Sequence, residues 1–200
     1  RVQSESDAYE PSPTRSASRD WFYVPTWRSS PVQAVTDAVR TIVFGHSSHF
    51  GAIQAGLPNS KVTFVEAADS WNETKMGFQI DPTAKQDYAH LLRRLQATEN
   101  PFRLLHLWTL QSDESSLGFD SLVAMSQCLL DEKMTTTFQL DVVTNGLFSI
   151  TGHEQLRPGT GVLPGLLNVL QQEVRCLRCN IVDVAETQIF TSKPESQEIK

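Results

Sequence analysis

The fold is decided by the stretch TIVFGHSSHFG, residues 41–51, in which an apolar run ends at a glycine and a helical segment begins. Four further apolar runs follow along the chain, and stretches with helical periodicity separate them. We predict strands over residues 41–44, 61–65, 102–110, 138–144 and 177–184, with a short extension at 76–80. Strands separated by helices of this length need right-handed crossovers. The sequence therefore predicts an α/β fold with a mainly parallel sheet and helices on both faces.

The helices are predicted from the spacing of apolar residues between these strands. This spacing indicates helices over residues 48–57, 118–131 and 162–174. A longer helix is expected to start at Asp81 as N-cap, with Pro82 at its first position, and to run through Leu95. Further towards the N-terminus, the sequence predicts an edge strand around Pro25 and one or two helical turns over residues 32–39.

Length and composition indicate a single domain with polar ends. The chain has 200 residues, and its 40% hydrophobic content is enough for one core. The first twenty residues are rich in Ser, Pro, Asp and Glu and contain little to bury. We expect residues 1–20 to form a flexible linker cut from a longer polypeptide, residues 21–190 the ordered domain, and residues 191–200 a flexible tail.

Charge and cysteine content argue against several classes of partner and location. The formal charge is -6, and no segment concentrates basic residues, so we expect no nucleic acid. No apolar run approaches the roughly 20 residues that cross a bilayer, and the N-terminal segment lacks the apolar core of a secretory signal. Three cysteines cannot form a disulfide framework, which fits a cytoplasmic protein.

Neither glycine cluster of the chain matches a phosphate-binding fingerprint. Gly45 and Gly51 fit neither G-x-G-x-x-G nor the P-loop, which also needs a lysine before Ser or Thr. The second cluster, Gly159 to Gly165, follows a loop rather than a strand, and Pro164 favours a helix start there. We expect no bound nucleotide. A small nucleotide-dependent enzyme stays open as an alternative, because a helix N-terminus can attract an anion without a motif.

The candidates for catalysis and for metal binding are incomplete. No tyrosine lies four residues before a lysine, as a short-chain reductase would need, and no Gly-x-Ser-x-Gly elbow is present. The pairs His46 with His49 and Cys176 with Cys179 could each give two metal ligands, but four-coordinate zinc needs more, so we expect no metal. We predict that His106 is a hydrogen-bonded core histidine.

The segment LGFDSL, residues 117–122, resembles the signature of acyl carrier proteins, in which the serine takes a phosphopantetheine arm. Ser121 is therefore a candidate carrier site. A carrier domain is a small helical bundle, however, whereas the apolar runs at 102–110 and 138–144 predict strands on both sides. The competing interpretation is that Asp120 or Ser121 serves the start of a helix.

An ordered set of motifs from Trp21 to Val184 resembles the structural subdomain of a modular polyketide synthase ketoreductase. The motifs are WFYVPTWR at 21–28, DY at 87–88 with LL at 91–92, LHLW at 105–108, GFDSL at 118–122 with Gln127, VVTNG at 142–146, PGL at 164–166 with Glu173, and VDV at 182–184.

This resemblance implies a truncated Rossmann-like fold without cofactor or substrate sites, which packs against a following catalytic subdomain and stabilises it. The NADPH loop and the catalytic residues would belong to that second subdomain, so the resemblance assigns this chain no catalytic, cofactor-binding or metal-binding residue. The parent is expected to be a multifunctional polyketide synthase. In this family an enoylreductase or a methyltransferase can lie between the two halves, and some units are inactive pseudo-ketoreductases.

The aromatic segment at the start of the predicted domain is the candidate contact surface. A half-sized sheet leaves an edge or a face to be covered by a neighbour. We predict that Trp21, Phe22, Tyr23 and Trp27 contact an adjacent domain of the same polypeptide, and that an exposed apolar patch includes part of this strip.

Overall fold

The chain divides into two compact units, residues 1–34 and 35–200. The computed structural model describes residues 27–30, 40–96, 102–110, 117–132 and 136–184. In the first unit, residues 27–30 are exposed and have no regular secondary structure. The predicted edge strand around Pro25, the helical turns at 32–39, the linker at 1–20 and the tail at 191–200 lie outside the described residues.

The described residues of the second unit form a seven-stranded sheet. The strands are β1 (Arg40–Phe44), β2 (Val62–Ala67), β3 (Asn72–Glu73), β4 (Gly77–Ile80), β5 (Phe102–His106), β6 (Phe138–Thr144) and β7 (Leu177–Asp183). Their order is β3-β4-β2-β1-β5-β6-β7, and among the described pairs only β3 with β4 is antiparallel. The predicted α/β fold with a mainly parallel sheet is confirmed.

Within the part of the chain that the structure describes, four α-helices connect these strands: α1 (Phe50–Gly56), α2 (Lys85–Gln96), α3 (Leu117–Asp131) and α4 (Leu163–Glu173). The described ranges also contain three short 3₁₀ helices, at Ser47–His49, Trp108–Leu110 and Pro158–Val162. The predicted strand over 102–110 is therefore too long, because the chain leaves the sheet after His106 and turns into the second 3₁₀ helix.

The predicted start of helix α2 at Asp81 is wrong by about one turn. The Asp81 carboxylate accepts hydrogen bonds from the backbone N–H and the hydroxyl of Thr83, both at 2.8 Å, and closes a turn instead of capping the helix. The helix begins at Lys85, and Asp87 in its first turn accepts the backbone N–H of Asp81 at 2.9 Å. Because the Asp81 side chain bonds to the backbone of Thr83, residues 81–84 form a turn and the helix starts later than predicted.

The two faces of the sheet are covered unequally. Right-handed crossovers place α1 on one face and α2, α3 and α4 on the other. The larger core lies beneath those three helices and includes Ile42, Phe44, Tyr88, Leu91, Leu104, Leu122, Met125, Leu140, Leu167 and Leu170. The smaller core, on the α1 face, consists of Val43, Phe50, Phe64 and Leu107. The crossover from β2 to β4 contains β3 and turns but no helix. Among the described helices, α1 is therefore the one that covers the face of the smaller core.

Beyond the smaller core, strands β5 to β7 carry polar side chains. Asp141 on β6 is buried and accepts hydrogen bonds from Gln139 (2.7 and 2.9 Å) and from Asn180 (2.8 Å). Arg103 Nε lies 3.1 Å from Asp141 Oδ2 in an ion pair. The hydrogen bonds thus join Gln139, Asp141 and Asn180 across β6 and β7, whereas Arg103 Nε on β5 contacts Asp141 as an ion pair without a hydrogen bond of its own.

None of the helices within the described ranges is both long enough and apolar enough to cross a membrane.

Replacing a leucine in the larger core tests this packing. Leu104 on β5 is fully buried, whereas Leu130 on α3 is 52% exposed. We expect Leu104→Ala to lower the free energy of unfolding by about 2–5 kcal/mol through a cavity, and Leu130→Ala to change it by less than about 0.5 kcal/mol. Urea unfolding of both variants gives the comparison, and equal effects would show that the core is placed wrongly.

Candidate functional site

A doubly wound sheet binds ligands at the carboxyl ends of its strands, where the strand order reverses direction. In this sheet the reversal lies between β1 and β5, since the chain moves from β1 towards β2 on one side and from β5 towards β6 on the other. Phe44 and His106 are register partners at the ends of these strands. A dinucleotide would therefore lie between the segments 45–49 and 107–110.

Side chains of the protein fill this switch point. The backbone N–H of Leu107 donates to the carbonyl of Phe44 at 2.8 Å, so the two segments stay paired beyond the strands. The buried Leu107 side chain lies against Gly45, where an added Cβ would be 3.4 Å from Leu107 Cδ1. Trp108 is also buried and meets Phe44 edge to face at 5.3 Å between ring centroids. Leu107 belongs to the smaller core and Trp108 to the larger one. Side chains therefore occupy the switch point on both faces of the sheet.

The backbone donors that follow β1 are also occupied. Ser47 N–H donates to the carboxylate of Glu66 on β2 at 2.9 Å, and Ser48 N–H donates to His46 Nδ1 at 3.2 Å. A carboxylate thus lies where the Rossmann turn would hold a phosphate, and its charge repels another anion. These residues do not form the open, glycine-lined turn that a pyrophosphate needs.

The two candidate metal pairs do not extend to larger clusters. The rings of His46 and His49 are 6.3 Å apart, and burial, followed by the neighbouring His46, lowers the pKa of His49. Burial also raises the pKa of the Cys179 thiol to about 11. Across the described ranges, no group of three or more His, Cys, Asp or Glu side chains is placed to hold a metal ion.

Ser121 lies in the interior of the domain rather than at its surface. Its exposed fraction is 0%, and its hydroxyl is 2.9 Å from His106 Nε2 and 3.2 Å from the carbonyl of Gly118. Burial lowers the pKa of His106 to about 3, so the imidazole is neutral near pH 7. His106 is thus the hydrogen-bonded core histidine that the sequence predicts. A buried serine on helix α3 argues against the carrier interpretation, since a modifying enzyme could not reach its hydroxyl.

Packing accounts for the motif around Ser121. Helix α3 starts against the 3₁₀ helix that follows β5, and a Cβ at Gly118 would lie 2.8 Å from the Cα of Thr109. Only glycine allows this close approach. The hydroxyl of Thr109 in turn donates to the carbonyl of Val143. Gly118 therefore brings α3 close to the sheet, and Ser121 supplies a partner for His106.

A pocket of about 330 Å³ lies at the carboxyl ends of β6 and β7. The residues that line it are Asn145, Gly146, Phe148, Ile150, Glu154, Gln155, Leu156, Arg157, Asp183 and Val184. The sequence analysis does not predict this pocket, although it includes Asn145 and Gly146 in the VVTNG motif and Asp183 and Val184 in the VDV motif. The signal that could have indicated it is the polar VTNG turn after β6 together with Asp183 at the end of the neighbouring strand.

Asp183 holds the pocket loop in place. Its carboxylate accepts hydrogen bonds from the Thr144 hydroxyl (2.9 Å) and from the backbone N–H groups of Leu147 (3.0 Å) and Phe148 (2.9 Å). Gly146 has a φ of 70°, and an added Cβ would be 2.3 Å from the carbonyl of Gln155. The loop can therefore fold back on itself only with glycine at this position.

Two further residues fix the far side of the loop. Arg157 donates from its backbone N–H to the carbonyl of Gly146 and from Nη1 to Asn145 Oδ1, both at 2.7 Å. Glu154 accepts the backbone N–H groups of Thr151 (2.8 Å) and Gly152 (3.0 Å). The hydrogen bond from Thr151 and further backbone donors lower the pKa of Glu154 to about 2.

Of the predicted interface residues, Trp27 lies within the described part of the chain and is 53% exposed. Trp21, Phe22 and Tyr23 lie outside the described residues. Contact of this strip with an adjacent domain stays a prediction.

Removing the charge of Asp183 tests its role in the pocket loop. We expect Asp183→Asn to cost about 1–3 kcal/mol of stability, because two backbone donors lose a charged acceptor. Hydrogen exchange of the Leu147 and Phe148 amides should be faster in the variant. Asp131→Asn is the matched control, since it removes only the exposed ion pair with Lys85 and should cost less than about 1 kcal/mol. Unchanged exchange at Leu147 and Phe148 would contradict this role.

Two solved structures share the fold of this chain at 14% sequence identity. One is a multidomain structure with adenylation, ketoreductase and pseudo-Asub parts of a keto acid-selecting NRPS module; the TM-score is 0.67, over 86% of this chain and 16% of that chain. The other is an N-terminal ketoreductase from the macrolactin assembly line, with a TM-score of 0.57 over 78% of this chain and 34% of that chain. The predicted resemblance to ketoreductase-type α/β folds is confirmed at the level of the fold.

No curated protein sequence matches the chain. Residues 40–197 match the family described as beta-ketoacyl synthase-like, N-terminal, over well more than half of the sequence. The chain therefore belongs to the beta-ketoacyl synthase-like, N-terminal family.

Proposed function

We propose that this chain is a non-catalytic structural subdomain of a polyketide synthase module. In this role it stabilises and positions a neighbouring catalytic domain, either a ketoreductase or an inserted methyltransferase or enoylreductase. The ordered motifs, the family membership and the shared fold support the assignment. The chain spans 16% and 34% of the two similar structures, so the catalytic parts would be supplied by other segments of a longer polypeptide.

The observation that carries this proposal is the filled switch point. Leu107 and Trp108 occupy the two sides of the crevice between β1 and β5, and Glu66 accepts the backbone donor that a phosphate would use. The domain keeps the doubly wound sheet, but its binding crevice is filled. This combination is expected of a domain that contributes shape and stability instead of catalysis. NADPH would then bind only to the partner subdomain.

The polar groups inside the domain fit the same proposal. Ser121 and His106 form a nucleophile and base pair by type, yet both are buried and no substrate could reach them. The Tyr88 hydroxyl donates to the carbonyl of Pro82 at 3.0 Å, and burial raises its pKa. We propose no catalytic residue in this chain. The carrier and the nucleotide-dependent enzyme are the less favoured alternatives. We further propose that the protein works in the cytoplasm, without nucleic acid, membrane or metal partners.

Titration with NADPH tests the non-catalytic assignment. We expect no saturable heat when NADPH is added to the purified chain up to about 1 mM in a calorimeter, a concentration that would reveal millimolar binding. An active short-chain reductase titrated in the same buffer is the positive control. Saturable binding at micromolar NADPH would overturn the proposal.

The proposed stabilising role is tested at Trp27 in the full parent polypeptide. If Trp27 is an interface anchor, Trp27→Ser should remove about 2 kcal/mol of domain association and lower the unfolding temperature of the neighbouring catalytic domain by roughly 4–8 °C. Met76→Ser is the matched control, because Met76 is another exposed apolar side chain, at 62% exposure. If the neighbouring catalytic domain unfolds at the same temperature in the unsubstituted polypeptide and in both variants, the aromatic segment does not contact it.

A further inference from the structure

The proposed function gives the buried His106 no task beyond packing. We propose that His106 is an acid-sensitive lock, which holds the start of helix α3 against the sheet while its imidazole is neutral and releases it when the imidazole takes up a proton. This inference concerns the conformation of the domain at different pH values. It does not depend on the scaffold role.

The imidazole of His106 is enclosed by the larger core. The residue is 1% exposed, and the ring centroids of Phe44 and Trp108 lie 6.0 and 5.6 Å from its own. Aromatic and apolar side chains solvate an ion poorly. The site therefore favours the neutral imidazole over the imidazolium.

A single side chain is a hydrogen-bond partner for the ring among the described residues. Nε2 of His106 lies 2.9 Å from Ser121 Oγ, and the Ser121 hydroxyl is also 3.2 Å from the Gly118 carbonyl. Nδ1 of His106 is buried without a hydrogen-bond partner. A neutral imidazole carries a hydrogen on one nitrogen, whereas the imidazolium carries one on both and would bury an unpaired charged donor.

The elements around His106 present apolar or neutral groups to it. Phe44 on β1 and Val142 on β6 are its register partners. On α2, the Tyr88 hydroxyl donates to the carbonyl of Pro82, and burial raises its pKa. On α3, burial raises the pKa of the Cys128 thiol to about 11. Neither group is ionised near neutral pH, so neither can balance a charge on His106.

The carboxylates on the neighbouring elements are directed elsewhere. Asp87 on α2 accepts the backbone N–H of Asp81, and Asp81 accepts that of Thr83. Asp120 on α3 is partly exposed and lies on another side of the helix from Ser121, because adjacent helix positions are about 100° apart. Burial is thus the cause that lowers the pKa of His106 to about 3.

The stability of the domain should therefore fall as the pH falls. His106 in the unfolded chain takes up a proton with an ordinary pKa of about 6.5, whereas the folded domain holds its pKa at about 3. The contribution of the neutral ring to stability is fully present above about pH 6.5 and is lost progressively between that value and pH 3. Each pH unit in this window raises the equilibrium constant for unfolding about tenfold.

The start of α3 is the side of the site that can open. Phe44 and Trp108 are fixed to the sheet, since the backbone N–H of Leu107 between them donates to the Phe44 carbonyl at 2.8 Å. The start of α3 reaches the sheet through the close approach of Gly118 to Thr109 and through the contact of Ser121 with His106. Movement of this turn would bring water to Nδ1 without breaking the sheet.

An NMR titration of the histidine rings in the full chain tests the proposal without any substitution. While the domain is folded, the ring signals of His106 should keep the pattern of a neutral imidazole from about pH 7.5 down to about pH 5. Titration of the folded His106 ring within this range would overturn the proposal.

Urea unfolding measures the effect of the proton on the domain. From about pH 7.5 to about pH 5.5, we expect the unfolding constant of the unsubstituted chain to rise about tenfold more than that of His106→Gln. The glutamine amide can still bond to Ser121 but takes up no proton in this range. His153→Gln is the matched control, because His153 is exposed, and it should keep the full pH dependence.

Hydrogen exchange locates the segment that the proton releases. After correction for the intrinsic effect of pH on exchange, amides 118–125 should be accelerated at about pH 5.5 by at least about threefold more than those of α4 at 163–173. In His106→Gln this excess should disappear. An equal acceleration in α3 and α4 would overturn the assignment of the lock to the start of α3.

Equal pH dependence of unfolding in His106→Gln and in the unsubstituted chain would also overturn the proposal. If His106→Gln does not fold, the ring titration and the hydrogen exchange of the unsubstituted chain still decide it.

Discussion

The pairing of β1 with β5 is the constraint on which the rest of the structure depends. Phe44 and His106 are register partners, and the bond from Leu107 N–H to the Phe44 carbonyl continues the pairing past the strand ends. This register brings Leu107 over Gly45 and Trp108 against Phe44. Since successive side chains of a strand point to opposite faces, a slip of one residue would exchange the residues of the two cores. The same pairing that builds the sheet thus fills the place where a cofactor would bind.

Residues that look functional in the sequence serve packing in the fold. Gly118 permits the close approach of α3 to Thr109, and Ser121 gives the buried His106 a hydrogen-bond partner. An unsatisfied buried polar group costs about 1–3 kcal/mol of stability. The pair of Ser121 and His106 therefore stabilises the fold even if neither residue is catalytic. The LGFDSL motif alone therefore cannot identify a carrier site. A helix start that packs against a sheet can contain the same glycine and serine as a site where a serine is modified.

The sequence predicts the central elements better than the edges. The predicted range 138–144 coincides with β6, and the predicted helix 118–131 differs from α3 by one residue, because long apolar runs and clear periodicity specify both. The two-residue strand β3 was missed, since Asn72 and Glu73 are polar and are paired by contacts to Gln79 and Arg94. The β6–β7 pocket was also missed, because it forms from loop hydrogen bonds to Asp183 that no local pattern encodes. For the switch point, the sequence shows only that the glycine fingerprint is missing. That Leu107 and Trp108 fill this place is seen only in the structure.

We propose that a domain which keeps a nucleotide-binding topology but fills its crevice supports its neighbours. The direct test is a crystal structure of the chain grown in the presence of excess NADPH. Our account predicts the Leu107 side chain over Gly45 and the Glu66 carboxylate bonded to Ser47 N–H, with no dinucleotide density between β1 and β5. Ordered NADPH density at that position, with Leu107 or Glu66 displaced, would contradict it.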